Sequence, residues 1–415
     1  MQITNLLPFG LLMAVFITAG YFLCRKLSPY SSLVPELLQA KGYHLELESM
    51  RGLLALAVVV HHALVYYFLL YYHTPEISGR HANFYSQLGT APVTFFFFIT
   101  GFLFWSKLID KPRQQPLKFM AARLRRLGPA YLGGVALVYT LVAVFTHFRL
   151  HDSPMEVARD AVRVLLGETP NLNGLSFTPW LWTVTWTLQM EFLFYMLVPF
   201  LGWFAVTLRK SLLFIVICNL LYAGSLANQG NHWHVRGFFP LQTLLHFLSS
   251  AFCVGFVTAH LVRNEGIRKL ARSAWAAPLA LVMIALTLYF LPPWYGPRES
   301  LCLALPFVVI ACGGSFWGAL RKPALLFLGQ ISYSVYLIHC MLFAAILIPL
   351  YNVLGPAMRS PVFYWSIILL MGPVIVSMAT LWNHTFELPF LGKRRVVPRT
   401  VSITAASSLQ SVPPS

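Results

Sequence analysis

Arg51 and His62 stand eleven residues apart in the stretch Glu48-Ser49-Met50-Arg51-Gly52-Leu53-Leu54-Ala55-Leu56-Ala57-Val58-Val59-Val60-His61-His62. On a helix, eleven residues make almost three full turns, so the two side chains share a face, roughly 16 Å apart along the axis. A bilayer's hydrocarbon core is about 30 Å thick, which puts Arg51 near one surface and His62 near mid-depth. His61 points about a quarter turn away. A cation at the mouth and an imidazole within form a polar track through apolar surroundings. Such groups are costly in a membrane, and a functional reading is the default. Imidazole, with an unperturbed pKa near about 6.5, suits general base catalysis or covalent transfer.

Two further groups are of the same kind. Of 13 acids, all but Glu191 fall in loops or at the ends of apolar runs. Glu191 sits in Trp186-Thr187-Leu188-Gln189-Met190-Glu191-Phe192-Leu193-Phe194-Tyr195, with Tyr195 one turn on along the same face. A lone carboxylate at that depth needs a partner or a proton. Substrate binding or proton transfer is the expected role, with a structural hydrogen bond as the alternative. His339 closes Ser332-Tyr333-Ser334-Val335-Tyr336-Leu337-Ile338-His339, in which Ser332, Tyr336 and His339 form one polar stripe. A satisfied core histidine is the alternative there. By counting, His62, Glu191 and His339 are expected to converge at one level from three helices.

The basic stretch 107–126 is a candidate anion site, because Arg123 and Arg126 lie one turn apart and paired guanidinium groups suit phosphate or pyrophosphate. Ordinary loop charge is the plainer account. Phe95-Phe96-Phe97-Phe98 is expected to pack or face lipid, and Thr100-Gly101 to allow close helix approach. His246 and His260 are read as structural. His232 and His234 have metal-like spacing but no evident third ligand, so no metal is expected.

These groups need helices to hold them. The chain has 415 residues, 58% hydrophobic and 10% charged, with a mean hydropathy of +0.67. The composition excludes a soluble domain and fits an all-α integral membrane protein, since helices satisfy their own backbone groups in lipid. About eleven spans are expected, near 6–24, 52–72, 90–107, 127–147, 182–206, 211–227, 241–262, 275–292, 300–319, 329–350 and 362–384. The first lacks a preceding cationic region and reads as a span rather than a signal peptide. The net charge of +17 does not indicate nucleic acid, because the basic residues occupy short loops. With the N-terminus outside and the C-terminus cytoplasmic, 23 of the 30 Lys and Arg residues fall inside, as the positive-inside rule requires.

The longest outer loop, 148–181, carries Asp152, Glu156, Arg159, Asp160 and Arg163 and has room for a short amphipathic helix. Trp180, Trp182 and Trp186 follow it and suit an interfacial belt. The six cysteines have neither metal-ligand nor disulfide spacing and read as small apolar residues.

The chain resembles the membrane-bound acyltransferase family 3 from about residue 44 to 396. The resemblance is carried by Arg51 with His62, Phe98-Ile99-Thr100-Gly101-Phe102-Leu103, and Arg123 with Arg126 before Pro129. It continues in Trp186-Thr187-Leu188 with Glu191 and Phe194-Tyr195, Leu328-Gly329 with Ser332-Tyr333 and Tyr336-Leu337-Ile338-His339, and Glu387-Leu388-Pro389-Phe390. Glu48, Thr100 and Thr187 stand where Asp, Ser and Ser are usual. The resemblance implies a ten-helix domain over 44–396, preceded by an extra helix and linker in 1–43 and followed by a disordered tail in 397–415. It implies acyl transfer, usually acetyl from cytoplasmic acetyl-CoA, to a hydroxyl of an envelope glycan or lipid-linked sugar in a bacterial cytoplasmic membrane. Polysaccharide synthesis machinery is an expected partner. Arg51, Arg123 and Arg126 would hold the CoA phosphates, with His62 as base or acyl carrier and Glu191 orienting it. Tyr333 or His339 would stabilise the oxyanion, and Trp186, Glu191 and Tyr195 would bind the acceptor. The rival from another class is a transporter with a His/Glu midplane site, against which stands the lack of an internal repeat.

Overall fold

The computed structural model describes residues 2–39, 44–176, 181, 183–227 and 241–391. Two helices, α1 (Leu7–Lys26) and α2 (Tyr30–Gln39), precede the long pair α3 (Leu45–Tyr72) and α4 (Ala82–Asp110). Then come α5 (Pro116–Phe145), α6 (Pro154–Leu165), α7 (Thr185–Leu197) and α8 (Leu208–Ala227). The run Leu241–Leu261 is broken at Ala251 into α9 (Leu241–Ser250) and α10 (Phe252–Leu261). The rest is α11 (Glu265–Ala271), α12 (Ala276–Phe290), α13 (Pro297–Ala311), α14 (Pro323–Gln330), α15 (Ser332–Leu354) and α16 (Pro361–Trp382). No β-strand forms among the described residues, and the chain is an all-α multi-pass membrane protein.

Each expected span contains a helix, but the lengths differ. Eight helical segments are long and apolar enough to cross a bilayer, and a ninth is made if α11 and α12, which meet at 72°, count as one. The other two fall short, with 13 residues in α7 and 15 in α13. At 1.5 Å per residue these reach roughly 20 and 22 Å, against a core of about 30 Å. The shortfall of α7 has a local cause. Its first turn lies inside the bundle, where Thr185 Oγ1 donates to Gly167 O at 2.8 Å and Gln189 Nε2 to Leu166 O at 2.8 Å. The outer loop is thereby tied to the start of α7. It carries the amphipathic α6, opened by a capping box between Ser153 and Glu156 and held to α5 by Tyr131 OH donating to Val164 O at 2.9 Å.

The helix that everything else surrounds is α3. Most of its residues from Leu54 to Phe68 are buried. Its inner end is locked to α14 by backbone contact. A Cβ on Gly329 would lie 2.1 Å from Glu48 O, and one on Gly52 would lie 2.7 Å from Gly329 N. Glu46 pairs with Arg321 at 2.6 Å, and Gln330 Nε2 donates to Glu48 Oε1 at 3.0 Å. A second such crossing joins α4 to α10, where a Cβ on Gly101 would meet Phe252 O at 2.6 Å. This is the close approach expected beside Thr100. The final motif folds back beneath α15: Glu387 accepts from Ser334, and Tyr30 OH donates to Asn383 Oδ1 at 2.8 Å.

Candidate active site

The face of α3 that carries His62 turns toward α15, where it meets His339. His62 Nδ1 and His339 Nε2 are 3.1 Å apart. His339 Nδ1 lies 3.0 Å from Val335 O. A carbonyl only accepts, so that nitrogen carries the proton and Nε2 presents a lone pair to His62. His62 Nδ1 also lies 3.1 Å from Val58 O. Facing two acceptors, it is the protonated nitrogen of a neutral ring, and Nε2 is left basic by this assignment. Among the described residues none hydrogen-bonds to His62 Nε2. The pair thus presents one unused lone pair.

That ring borders an outer cavity of about 210 Å³, shared with His61, Thr183, Trp186, Tyr295 and Tyr336. Gly89 makes room for His61, since a Cβ there would come within 2.8 Å of the imidazole. Trp186 packs on Phe247 and Tyr295, with centroids 5.8 and 5.2 Å away. It lines a chamber in the bundle instead of standing in an interfacial belt. Trp180 and Trp182 lie outside the described residues, as do His232 and His234.

A second cavity, of about 120 Å³, lies on the Arg51 side. It is lined by Arg51, Arg123, Arg126, Glu191, Tyr195 and Tyr333 among others, so six of the residues singled out by sequence share one chamber. Arg51 pairs with Glu48 at 3.4 Å. Arg123 lies over the rings of Phe104 and Phe119 at 5.2 and 5.9 Å, which holds a guanidinium in apolar surroundings by cation–π attraction. Glu191 accepts from Thr100 Oγ1 at 2.9 Å and from Tyr195 OH at 2.6 Å. Tyr333 OH donates to Leu127 O at 3.3 Å. Three guanidinium groups against Glu191 and the Glu48 that pairs with Arg51 leave an excess of positive charge at the chamber.

The expected convergence of three groups at one level is corrected on one point. His62 and His339 meet, but Glu191 does not join them. Because α7 starts inside the bundle and runs toward the inner side, Glu191 lies one turn past Thr187, level with Thr100. Gly89, beside His61, and Thr100, beside Glu191, are eleven residues apart on α4, roughly 16 Å along its axis. Glu191 therefore orients Tyr195 and not the histidine pair, and Tyr333 stands with Glu191 in the arginine chamber, away from His62. The level of a residue on a helix entered from within the bundle cannot be counted from the membrane surface.

Sequence reasoning missed the groups between the chambers. Thr187 Oγ1 donates to Val184 O at 2.9 Å, so Tyr336 OH donates to Thr187 across the 2.9 Å between them. Tyr336 and Val93 line both cavities. The polar stripe of α15 held the clue for Tyr336, and the Thr187-Leu188 motif held it for Thr187.

His62, His339 and Cys340 present three ligand atoms within 4.8 Å of one another. A metal there would need lone pairs on both His62 Nδ1 and His339 Nε2, whereas Val58 O beside Nδ1 calls for a proton, so the donor set fits a hydrogen-bond chain better than a metal site. His260 Nε2 lies 2.8 Å from Ser211 Oγ, and His246 contacts Tyr295 O. Both are structural, as read. The cysteines are all free.

The sequence model of the family described as "Acyltransferase domain" matches residues 44–382. The chain is also similar to "Exopolysaccharide production protein ExoZ" of Rhizobium meliloti (strain 1021), at 31% identity over 129 residues, 30% of this chain. It spans 36% of the length of that curated relative. No solved structure matches. Since the family match takes in the helices that carry both chambers, the chain belongs to the membrane acyltransferase family 3.

Proposed function

We propose that this protein transfers an acyl group, acetyl in the first instance, from cytoplasmic acyl-CoA to a hydroxyl of an exopolysaccharide-related glycan. The observation that carries the reading is the pair of chambers joined by one face of α3. Arg51, Arg123 and Arg126 line the chamber on one side, and His62 lines the chamber on the other. CoA phosphates suit the first, through charge-assisted hydrogen bonds from guanidinium groups. The pantetheine arm would then lead the thioester toward His62.

In the direct form of the reaction, His62 Nε2 takes the proton of the acceptor hydroxyl. The oxygen attacks the thioester carbonyl carbon, the C–O bond forms and the C–S bond breaks. The proton passes from the imidazolium to the departing sulfur, giving a glycan ester and CoA thiol. His339 accepts the Nδ1 proton of His62 in a hydrogen bond and so stabilises the imidazolium stage. Trp186 and Tyr295 offer ring faces to a sugar in the outer chamber. The reading places the protein in a bacterial cytoplasmic membrane beside polysaccharide synthesis machinery, with the N-terminus outside.

The test is transfer of label from radiolabelled acetyl-CoA in membranes that express the chain, wild type beside His62→Ala. The reading predicts label in glycan that disappears with the substitution at equal membrane level. Transfer that survives would remove His62 from the chemistry. No turnover of acetyl-CoA in a complete envelope background would overturn the donor.

A further inference from the structure

We infer that Tyr336, hydrogen-bonded to Thr187, is the partition between the arginine chamber and the histidine chamber, and that it decides which acyl groups reach His62. The inference rests on the acyl-transfer reading and names a positioning residue within it.

Tyr336 and Val93 border both cavities, and Tyr336 is bonded to Thr187 of the arginine chamber, so the ring stands between the two. Tyr336 is held in place from three sides. Its hydroxyl donates to Thr187 and lies 3.4 Å from Val184 O. Phe96 meets its ring edge-on, with centroids 5.9 Å apart. His339, one turn on, lies 6.2 Å from it. The partner groups of the ring hydroxyl all belong to the start of α7. Tyr336 therefore ties α15, which carries His339, to the half-length helix that carries Glu191.

The donor phosphates bind on one side of this ring and the base opens on the other. A thioester can reach His62 only where the ring stands. A group the size of acetyl passes with a small turn of the side chain and the breaking of one hydrogen bond. A longer acyl chain needs the ring displaced altogether. The same closed ring keeps water of the outer chamber from a donor that has not been presented.

Two measurements test this. In the first, acyl transfer is followed with acetyl-, propionyl-, butyryl- and hexanoyl-CoA in wild type, Tyr336→Phe and Tyr336→Ala. Tyr336→Ala is expected to reduce the preference for acetyl over butyryl by at least about tenfold, while Tyr336→Phe keeps the preference and raises acyl-CoA hydrolysis without acceptor. An unchanged chain-length profile in a Tyr336→Ala protein that still transfers acetyl overturns the inference and leaves the acyl-transfer reading standing. No turnover by wild type overturns that reading.

The second measurement does not depend on turnover. In His62→Cys protein whose six native cysteines are replaced by alanine, in oriented vesicles, a membrane-impermeant sulfonated thiol reagent should modify residue 62 from the outer face alone. Adding Tyr336→Ala, or Thr187→Val if that protein does not fold, should open modification from the inner face as well. Equal inner-face modification with and without the second substitution overturns the partition.

Discussion

His62 and His339 divide one task unevenly. The carbonyls of Val58 and Val335 fix which nitrogens carry protons, and only His62 Nε2 is left to accept one. On the acyl-transfer reading, loss of His62 removes the base, so His62→Ala should lower kcat by about 10²–10⁴-fold. His339→Ala removes only the group that receives the Nδ1 proton. A hydrogen bond to a charged partner is worth about 1.5–3 kcal/mol, so the expected loss is about ten- to a hundredfold, partly restored by His339→Gln, whose carbonyl can accept the same proton. Both are read from steady-state transfer rates. Arg126→Ala should act differently, raising the donor KM about tenfold with kcat less affected, because it removes binding and not chemistry.

The Arg51–His62 relation was legible in the sequence because it depends only on helical period. The His62–His339 contact was half legible: both residues stood out as polar groups at depth, but their meeting depends on which faces of α3 and α15 pack together. The place of Glu191 was not legible. Its depth follows from where α7 begins, and that is set by hydrogen bonds to Leu166 and Gly167 in a loop whose sequence does not show against which helix it packs.

At the scale of elements, the crossing of α3 and α14 leaves no room for a methyl group. Gly329→Ala would press a Cβ into Glu48 O, and overpacking of this kind costs about 1–3 kcal/mol or more. The expected result is a lower melting temperature in detergent, with loss of donor binding as Arg51 shifts. The apolar runs located a helix in each expected span but could not tell a full crossing from a partial one. The run 182–206 is apolar enough throughout, yet Val198–Phe200 turns as a 3-10 helix at Pro199 and ends α7 early. The outer α6 makes a pH-dependent prediction. Hydrogen bonds from Ser153 hold the Glu156 carboxyl below its usual range. A lowered pKa contributes stability above the unfolded value, near about pH 4.3, which is lost as pH falls through the folded value. Protection factors in 154–165, which correct for the intrinsic slowing of amide exchange in acid, should therefore fall on acidification, and Ser153→Ala should abolish the difference.

Over the whole molecule, the uneven distribution of Lys and Arg predicts sidedness. Cysteine at Met155, which is 79% exposed on α6, should be modified from outside. Cysteine at Arg113, between α4 and α5, should be modified from the cytoplasm. The reverse pattern would invert the fold in the membrane and move the arginine chamber away from CoA. Fold class and family were legible because they rest on composition and on motifs in order. The division into two chambers was not, because it depends on Tyr336 and Val93 standing between side chains from four helices.

The continuity of α3 has a metrical consequence. Arg51 and His62 ride on a single unbroken helix whose inner end is clamped by Gly52 and Gly329, so their separation is a fixed gauge of roughly 16 Å. On the acyl-transfer reading a donor would thereby be measured as well as bound: the arm between its phosphates and its thioester would have to match the gauge. A donor with the nucleotide intact and a shortened arm would still dock, but its carbonyl would stop short of the imidazole. Its defect should appear in kcat while KM holds, as when binding energy cannot be spent on the reacting bond.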